Sequence, residues 1–283
     1  MRSHATHPFA LHLEGDVYRV YFSCRDSYNR SHVGYVELDL TEPRNILRIS
    51  EAPVLAPGPL GHFDDHGVYG GCLVRREQQL WMFYVGWIPG VTPPLFYSSI
   101  GAAISDEHGK VFHRVSPAPI IDRSRFDPCG VLMPHVIAEA QTWRMWYGSG
   151  IKWKDDRVEL QSYYDIKYAE SENGIRWQRD GTVCIPLVGP ERNIGHPFVL
   201  KEGIFRMWYS YSAGEGYRIG YAESPDGRAW ARKDAEVGLS VSDSGWDSQA
   251  ISHPHVFIHR DKRYMLYNGN NFGKDGFGLA KED

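Results

Sequence analysis

Apolar and aromatic residues recur along this chain in short stretches that follow one another at a nearly constant distance. The sequence Arg-Met-Trp-Tyr occupies residues 144–147 and again residues 206–209, and looser copies occupy residues 19–22, 81–84 and 264–267. The ends of successive copies lie 62, 63, 62 and 58 residues apart. A period near sixty over the whole chain indicates repeated supersecondary units. Because the units are rich in aromatic and β-branched residues and are interrupted by Gly, Asp and Asn, they predict β-sheets rather than helix pairs.

Each unit predicts the same order of strands. An inner strand, often opened by a His-Pro step, precedes the aromatic strand, and a third strand containing Gly and Ala follows a variable loop. In three units a turn then leads to a fourth, outer strand, and the Asn-Gly and Asp-Gly turns at Asn173 and Asp226 are strong hairpin signals. The predicted inner strands lie at residues 7–10, 71–74, 134–137, 196–199 and 253–256.

Five such sheets predict an all-β fold, a five-bladed β-propeller with mostly four-stranded antiparallel blades. One blade cannot bury its faces without neighbours, so we expect a single domain over residues 1–283. The last unit ends just after its third strand, so either that blade has three strands or residues upstream of Met1 complete it. The expected blades span approximately residues 1–60, 61–122, 123–186, 187–242 and 243–283.

Composition narrows the possible partners. The hydrophobic content of 42% and the mean hydropathy of −0.43 are typical of a soluble protein with enough apolar surface for a core. A net charge of −4 and a pI near 6.3 favour neither a nucleic acid nor an anionic membrane as partner. No apolar run approaches the roughly 18 residues of a membrane span.

The cysteine pattern indicates in which cellular compartment the protein acts. They show neither a Cys-x-x-Cys pair nor zinc spacing, so we expect no metal site built on them. We interpret them as free thiols in a reducing compartment. The first residues of the chain lack the apolar segment of a secretory signal. These observations predict a cytoplasmic protein. The cysteines are Cys24, Cys72, Cys129 and Cys184.

We expect the catalytic or ligand-binding residues at one end of the propeller axis. Inner strands begin at this end, and loops join second to third strands there. The pattern aromatic-Asp-x-x-small-β-branched precedes the inner strands at residues 63–68, 126–131 and 246–251. A pattern repeated in three units is first of all a structural device, in which the Asp side chain accepts backbone N–H bonds of the turn. This interpretation covers Asp64, Asp127 and Asp247.

Two acids and a histidine near the same end do not follow the repeat. Asp65 and His66 occur in the second unit alone, and Glu191 stands in the fourth unit where the pattern is replaced. Several carboxylates at one end of an axial pocket fit glycoside chemistry, in which one acid protonates the leaving oxygen while another activates water or attacks. We therefore name Asp65 and Glu191 as acid and base in unknown order, and Asp26 and Asp247 as further candidate acids.

Charged residues follow two of the aromatic strands. Arg25, Asp26, Arg30 and Lys152 would place opposite charges around one mouth of the axis. One interpretation is a solvated loop whose surface ion pairs contribute little. The alternative is a rim that binds an anionic group or sugar hydroxyls, because Arg suits carboxylate and phosphate. In that case Trp153 adds a face on which a sugar can stack.

Histidines sit at matched positions in three units, as His135, His196, His253 and His255. Three imidazoles converging on an axis can bind a metal ion. They can equally form hydrogen bonds around a polar channel, and we favour this second interpretation because the spacing matches no recognised ligand motif. The sequence therefore predicts no cofactor, with a metal ion on the axis as the alternative.

The Arg-Met-Trp-Tyr strands, the hairpins of the type Ala-Glu-Ser-x-Asp/Asn-Gly-x-x-Trp and the His-Pro inner strands carry a resemblance that covers essentially the whole chain. In these features the chain resembles the five-bladed propellers of the arabinanase, levansucrase and invertase superfamily, which includes glycoside hydrolase families 43, 32, 68 and 130. It looks most similar to uncharacterised propeller proteins associated with bacterial surface-polysaccharide synthesis and to the propeller module of plant glucosamine inositolphosphorylceramide transferases. The resemblance implies a carbohydrate ligand in a pocket at one axial end.

The chain departs from the catalytic patterns of these families. Residues 4–8 read His-Ala-Thr-His-Pro and lack the Asp that family 43 enzymes carry on the first inner strand. The Trp-Met-Asn-Asp-Pro-Asn-Gly opening of family 32 is absent. The Arg25-Asp26 pair is similar to the Arg-Asp pair of that family but lies in another blade and is not followed by Pro. No family's catalytic set maps onto the chain residue by residue.

Three functions remain open from the sequence. The leading hypothesis is a glycoside hydrolase-like enzyme that acts by carboxylate acid and base chemistry. The second is glycosyl transfer or phosphorolysis on an activated sugar, with Arg25 and Arg30 receiving a phosphate or nucleotide-sugar anion. The third is a non-catalytic glycan-binding module in polysaccharide biosynthesis. In each case the partner is a carbohydrate or nucleotide sugar, and the predicted binding residues are Arg25, Arg30, His66, His135, Lys152, Trp153, His196 and His253.

Overall fold

A computed structural model describes residues 2–155, 160–214 and 216–282. Its regular elements are β-strands, apart from two short 3-10 helices at Asp234–Glu236 and Asn270–Gly273. The predicted all-β class is therefore confirmed. Among the described residues, no helix is long and apolar enough to cross a membrane. The four cysteines are free thiols, as the sequence predicts.

The strands form five successive antiparallel meanders. The first contains β1 Ser3–Glu14, β2 Val17–Arg25, β3 Ser31–Asp39 and β4 Ile46–Ile49. The second contains β5 Gly67–Arg76, β6 Gln79–Pro89, β7 Phe96–Asp106 and β8 His113–Arg114. The third contains β9 Gly130–Ala138, β10 Trp143–Asp155, β11 Leu160–Ser171, β12 Trp177–Gln178 and β13 Val183–Ile185. The fourth contains β14 Gly195–Glu202, β15 Ile204–Ser212, β16 Tyr217–Ser224 and β17 Ala231–Arg232, and the fifth contains β18 Ser252–His259, β19 Lys262–Asn268 and β20 Phe277–Lys281.

The repeated aromatic stretches of the sequence all lie on the second strand of a meander, namely on β2, β6, β10, β15 and β19. A single parallel bridge between Ser31 and Gly67 joins the first two meanders into one hydrogen-bonded sheet. The last meander has three strands among the described residues.

The meanders are arranged in a ring. The first strand of each meander contacts the first strand of the next, and β1 contacts β18, which closes the circle. Hydrogen bonds between side chains of the fifth meander and backbone groups of β1 help to close the ring. Asn268 Oδ1 accepts a hydrogen bond from the His7 N–H at 2.9 Å, and Asn268 Nδ2 donates to the Ala5 carbonyl at 2.8 Å. His255 Nε2 accepts from the Ala10 N–H at 3.0 Å.

The apolar core lies between neighbouring meanders. Phe9 and Tyr21 of the first meander pack with Met82 of the second in one buried cluster. Further clusters join the second to the third meander, the third to the fourth and the fourth to the fifth. Tyr18 and Leu266 belong to a cluster that joins the first meander to the last. Each meander thus buries its faces against two neighbours, as the repeat requires.

Buried carboxylates connect the second strands to the periphery. Asp64 and Asp127 are completely buried. Asp64 accepts hydrogen bonds from the Tyr84 hydroxyl at 3.1 Å and from Arg114 Nε at 2.7 Å. Asp127 accepts from the Tyr147 hydroxyl at 3.1 Å and pairs with Arg179 at 2.7 Å.

The sequence predicts that the repeated Asp side chains accept backbone N–H bonds of a turn, but the structure gives them other donors. Asp64 and Asp127 accept hydrogen bonds from tyrosine and arginine side chains, and Asp127 accepts a further one from the Ser124 hydroxyl at 2.7 Å. Asp247 follows the same arrangement, because it accepts from the Tyr267 hydroxyl at 2.9 Å. In the fourth meander Asp234 takes this place, with Tyr209 at 2.5 Å and Arg232 at 2.7 Å.

We expect the substitution Arg114→Met to lower the free energy of unfolding by about 3 kcal/mol, because it leaves the Asp64 carboxylate buried without its cation. The matched control is Arg48→Met, which removes an arginine with 60% side-chain exposure that lies 3.6 Å from Glu37. Such an exposed pair contributes at most about 1 kcal/mol. Urea unfolding of both variants measures the difference. Equal and small losses in the two variants would contradict a stabilising role of the buried pair.

Candidate functional site

A cavity of about 730 Å³ opens at one end of the ring of first strands. This volume is in the range of sites that enclose small-molecule ligands. Its floor is formed where first strands begin, at His7, Met133, His196 and His253. The end of β6 at Pro89 and the loop that follows it, with Gly90 and Leu95, form part of its side.

The local backbone turns the floor histidines toward the axis. His7, His196 and His253 have left-handed φ angles of 55°, 52° and 57°. At each of them the pairing with the second strand is interrupted by a register shift. Each is followed by Pro, which has no N–H to donate to a ladder and is tolerated at such bulges. The His-Pro steps seen in the sequence are thus the points at which the strands depart from regular pairing.

The three imidazole rings contact one another. The His7 ring centroid lies 4.9 Å from that of His196 and 4.2 Å from that of His253, and the His196 and His253 centroids are 4.0 Å apart. Burial lowers the pKa of His253 to about 3. Burial and the neighbouring imidazoles hold the pKa values of His7 and His196 well below their usual range. The floor is therefore neutral at physiological pH.

Aromatic side chains form much of the wall. The Trp87 indole N–H donates to the Ser31 hydroxyl at 2.7 Å, and the Trp87 ring stacks with Tyr69 at 6.2 Å between centroids and 14° between planes. Flat apolar faces with a few polar groups among them are typical of small-molecule sites. The aromatic residues that line the cavity are Tyr69, Trp87, Phe96, Tyr164, Tyr217 and Phe272.

Arg25 is the one arginine or lysine among the described residues that line the cavity. Its side chain donates to the Asn29 amide oxygen at 2.7 Å and to the Tyr69 hydroxyl at 2.5 Å. Its guanidinium carbon lies 5.7 Å from the centre of the Trp87 ring. Within residues 2–155, 160–214 and 216–282, no carboxylate forms an ion pair with Arg25, so its positive charge is held in place by neutral groups.

The acids proposed from the sequence lie elsewhere. In the described part of the chain, no Asp or Glu lines the cavity. Asp65 accepts a hydrogen bond from the Gly61 N–H at 2.8 Å in the loop before β5. Glu191 forms a two-armed pair with Arg232, at 2.9 Å and 2.7 Å, and accepts from the Val188 N–H at 2.8 Å.

Asp26 is bound within its own loop. It accepts hydrogen bonds from the Arg30 side chain at 3.0 Å and from the Tyr28 N–H at 2.8 Å, and His32 Nε2 lies 3.1 Å away. Desolvation raises the pKa of Asp26, but the hydrogen bonds from His32, Arg30 and Tyr28 outweigh it and hold the pKa well below its usual range. The surface ion-pair interpretation of Asp26 and Arg30 thus matches their contacts.

The cavity unites four of the predicted binding residues, Arg25, His66, His196 and His253. His66 packs edge-to-face on Trp87 at 4.5 Å. Trp153 stands behind the wall, 5.7 Å from Phe96, and the Lys152 ammonium lies over the Tyr163 ring at 4.4 Å.

His135 lies outside the cavity, although it occupies a strand position close to the floor. Its ring packs against Phe198 at 4.5 Å. Burial lowers the pKa of His135 to about 4, against a hydrogen bond to the Val199 backbone that raises it. His255 also packs against Phe198, at 4.6 Å between ring centroids. His135 and His255 thus lie two residues further along their strands than Met133 and His253, which belong to the floor of the cavity.

Several lining residues are missing from the sequence-based set. His7 replaces His135 in the group of three, and the signal was present, because His7-Pro8 repeats the step found at His196 and His253. Trp87 and Tyr69 carry no comparable signal. The strands that carry Trp87 and Tyr69 contain many other aromatic residues, which pack in the core. The sequence does not distinguish the two cavity residues from these, whereas the fold does.

No protein-family model matches the chain. It is 41% identical over 281 residues to the uncharacterized protein Rv1502 of Mycobacterium tuberculosis strain H37Rv, an alignment that covers 99% of this chain and 92% of the relative. The uncharacterized protein MT1551 of strain CDC 1551 shows the same identity and coverage.

Solved structures of glycoside hydrolases share the fold. One glycoside hydrolase has a TM-score of 0.78 at 16% identity, over 99% of this chain and 87% of its own. A thermostable family-43 glycoside hydrolase has a TM-score of 0.69 at 17% identity, over 99% and 89%. A glycosyl hydrolase from Bacteroides ovatus has a TM-score of 0.73 at 14% identity, over 99% and 84%. The chain therefore has the fold of the propeller glycoside hydrolases.

We expect the free energy of unfolding to fall as the pH drops from about 6.5 to about 4, in part because of His135. In this window His135 is protonated in the unfolded chain but stays neutral in the folded chain, because its folded pKa is about 4. The substitution His135→Gln removes up to about 1.4 kcal/mol per pH unit of this dependence. The control His12→Gln changes an exposed histidine. Urea unfolding at several pH values tests this, and identical slopes in both variants would refute it.

Proposed function

This chain belongs to the same family as the uncharacterized protein Rv1502 of Mycobacterium tuberculosis, and from the geometry of its cavity we propose that it binds a carbohydrate carrying an anionic group. One observation carries the proposal. The Arg25 guanidinium lies in an aromatic-walled cavity and has no acidic partner among the described residues, while two neutral side chains hold it in place.

The charge of the cavity supports an anionic ligand. A guanidinium presents several N–H donors in a fixed plane, which suits a phosphate or a carboxylate. The histidines of the floor are neutral, and no acid of the described chain lines the cavity to repel an anion. A sugar phosphate, a nucleotide sugar or a uronic acid meets these conditions.

The wall supports a sugar. The rings of Trp87 and Tyr69 are nearly parallel, and Asn193 and Ser162 add an amide and a hydroxyl to the lining of the cavity. Rings for the apolar faces of a pyranose and polar groups for its hydroxyls together match the mixed lining of small-molecule sites. Solved structures that share this fold include glycoside hydrolases, which act on carbohydrates.

For the architecture, we propose that the five meanders are the five blades of one propeller domain, with the boundaries expected from the sequence. The cyclic contacts of the first strands support this assignment. The buried clusters support it too, because each of them joins two successive meanders. The free thiols agree with a reducing, cytoplasmic site of action.

A second candidate is glycoside hydrolysis, which the likeness to family-43 and other glycoside hydrolases favours. It retains Asp65 and Glu191 as acid and base. The contacts of these residues count against it, since Glu191 is neutralised by Arg232 and Asp65 is bonded to a loop N–H. Transfer or phosphorolysis needs an anion site as well, and Arg25 supplies one for either reaction.

We expect Arg25→Gln to weaken the binding of an anionic sugar about 10- to 100-fold, because a hydrogen bond to a charged group contributes about 1.5–3 kcal/mol. Binding of the neutral counterpart should change little. Calorimetry with matched pairs, glucose phosphate against glucose and glucuronate against glucose, measures both effects.

The matched control is Arg30→Gln, which removes a nearby arginine whose charge is already paired with Asp26 at 2.9 Å. This variant should bind both members of each pair as the unaltered chain does. Equal losses for Arg25→Gln and Arg30→Gln, or equal losses for charged and neutral sugars, would overturn the assignment of Arg25 as the anion site.

The hydrolase candidate has its own test. We expect Asp65→Asn to leave sugar affinity and any product formed from aryl glycosides unchanged, since Asp65 accepts a loop N–H outside the cavity. If Asp65 acts as a general acid or base, the same variant instead lowers turnover by about 100-fold or more at unchanged affinity. That second result would establish the hydrolase candidate and reject a purely binding role.

A further inference from the structure

Three imidazoles from three different meanders meet at the floor of the cavity. His7 comes from the first meander, His196 from the fourth and His253 from the fifth. One ring nitrogen of each lies within 4.8 Å of those of the other two. Three zinc–nitrogen bonds of about 2.0–2.1 Å place the nitrogens about 3.3 Å apart. Ligation therefore requires the rings to move until their nitrogens reach about this separation.

The hydrogen bonds of these rings leave nitrogens available. His253 Nδ1 lies 2.7 Å from the Ser252 hydroxyl, which orients the ring and leaves Nε2 without a hydrogen bond among the described residues. His7 Nδ1 is buried and has no hydrogen-bond partner. A buried nitrogen without a partner is unfavourable unless something outside the protein satisfies it. In the described chain, no hydrogen bond engages the His196 ring.

The choice of residue at these positions is not dictated by the backbone. Met133 occupies the corresponding position of the third meander with a φ of 45°. The left-handed conformation therefore accepts residues other than histidine. Packing alone does not require three imidazoles within contact distance, and their convergence calls for a common ligand.

We propose that His7, His196 and His253 bind one divalent transition-metal ion, of the zinc class, at the floor of the cavity. The three donors are neutral nitrogens, which zinc, cobalt and nickel accept. Calcium and magnesium prefer oxygen ligands, and within the described residues no carboxylate joins this set. Three histidine ligands leave a fourth coordination position, which faces the cavity.

The ion changes what the cavity can bind. Its two positive charges are not neutralised by its protein ligands and add to that of Arg25. The open position is suited to a water molecule, a hydroxyl or an anionic oxygen of a ligand. This extension rests on the proposed carbohydrate function, whereas the metal site itself does not.

The test uses the full-length chain without a histidine tag. We expect elemental analysis of the purified protein to find about one zinc-class ion per chain. After removal of the ion with a chelator, titration with cobalt(II) should give visible d–d absorption that saturates at one equivalent. Cobalt(II) should also raise the melting temperature.

Two variants separate ligation from folding. Asn tolerates left-handed backbone better than most residues, so His196→Asn and His253→Asn should keep the fold, which circular dichroism checks. We expect each to weaken cobalt(II) binding at least tenfold and to abolish the rise in melting temperature. The control His66→Asn changes a cavity histidine outside the group of three and should bind cobalt(II) like the unaltered chain.

A failure of the unaltered chain to bind cobalt(II), or equal binding by His196→Asn and His66→Asn, would overturn the proposal and leave water as the partner of His7. The sugar titrations with Arg25→Gln can be repeated on metal-free protein. If the unaltered chain fails to bind cobalt(II) but still binds the sugar, the metal site is rejected and the proposed function stands.

Discussion

The fold depends on one constraint, that no meander can cover its own apolar faces. Phe9 and Tyr21 need the second meander, and Tyr18 needs the last. An open row of five meanders would leave the outer faces of the first and the last meander in water, so the row has to close into a ring. The closing contacts are bonds of Asn268 and His255 to the backbone of β1 rather than a shared ladder. Closing the ring also brings the starts of the first strands together on one axis.

Charge is distributed according to the same geometry. Buried carboxylates need cations because burial of an unpaired charge is costly. Asp64 and Asp127 meet this need with Arg114 and Arg179 at the periphery, and Glu191 does so with Arg232. Among the described residues that line the cavity, Arg25 is the one cation, and the imidazoles of the floor are neutral. The acids of these ion pairs are therefore used inside single meanders, and no carboxylate of the described chain faces a ligand in the cavity.

The sequence is informative wherever a signal repeats. The aromatic stretches locate the second strand of every meander, and the His-Pro steps locate the floor of the cavity. The partners of single side chains cannot be predicted in this way. Glu191 meets Arg232 from 41 residues away, and Asp64 meets Arg114 from 50 residues away. Asp65 and Glu191 resemble catalytic acids because they break the repeat, yet each contacts a partner of its own meander that the repeat does not reveal, the Gly61 N–H and Arg232.

Closure by the two ends of the chain also determines when the site comes into existence during synthesis. Successive meanders can pair locally as they emerge, since their contacts are close in sequence. The floor needs His7 from the first meander and His253 from the last, and its closing bond joins Ala10 to His255 across 245 residues. Bringing such distant segments together costs chain entropy before any contact repays it. A nascent or truncated chain can therefore be largely folded and still have no cavity, so ligand affinity reports on completion of the ring rather than on the amount of sheet formed.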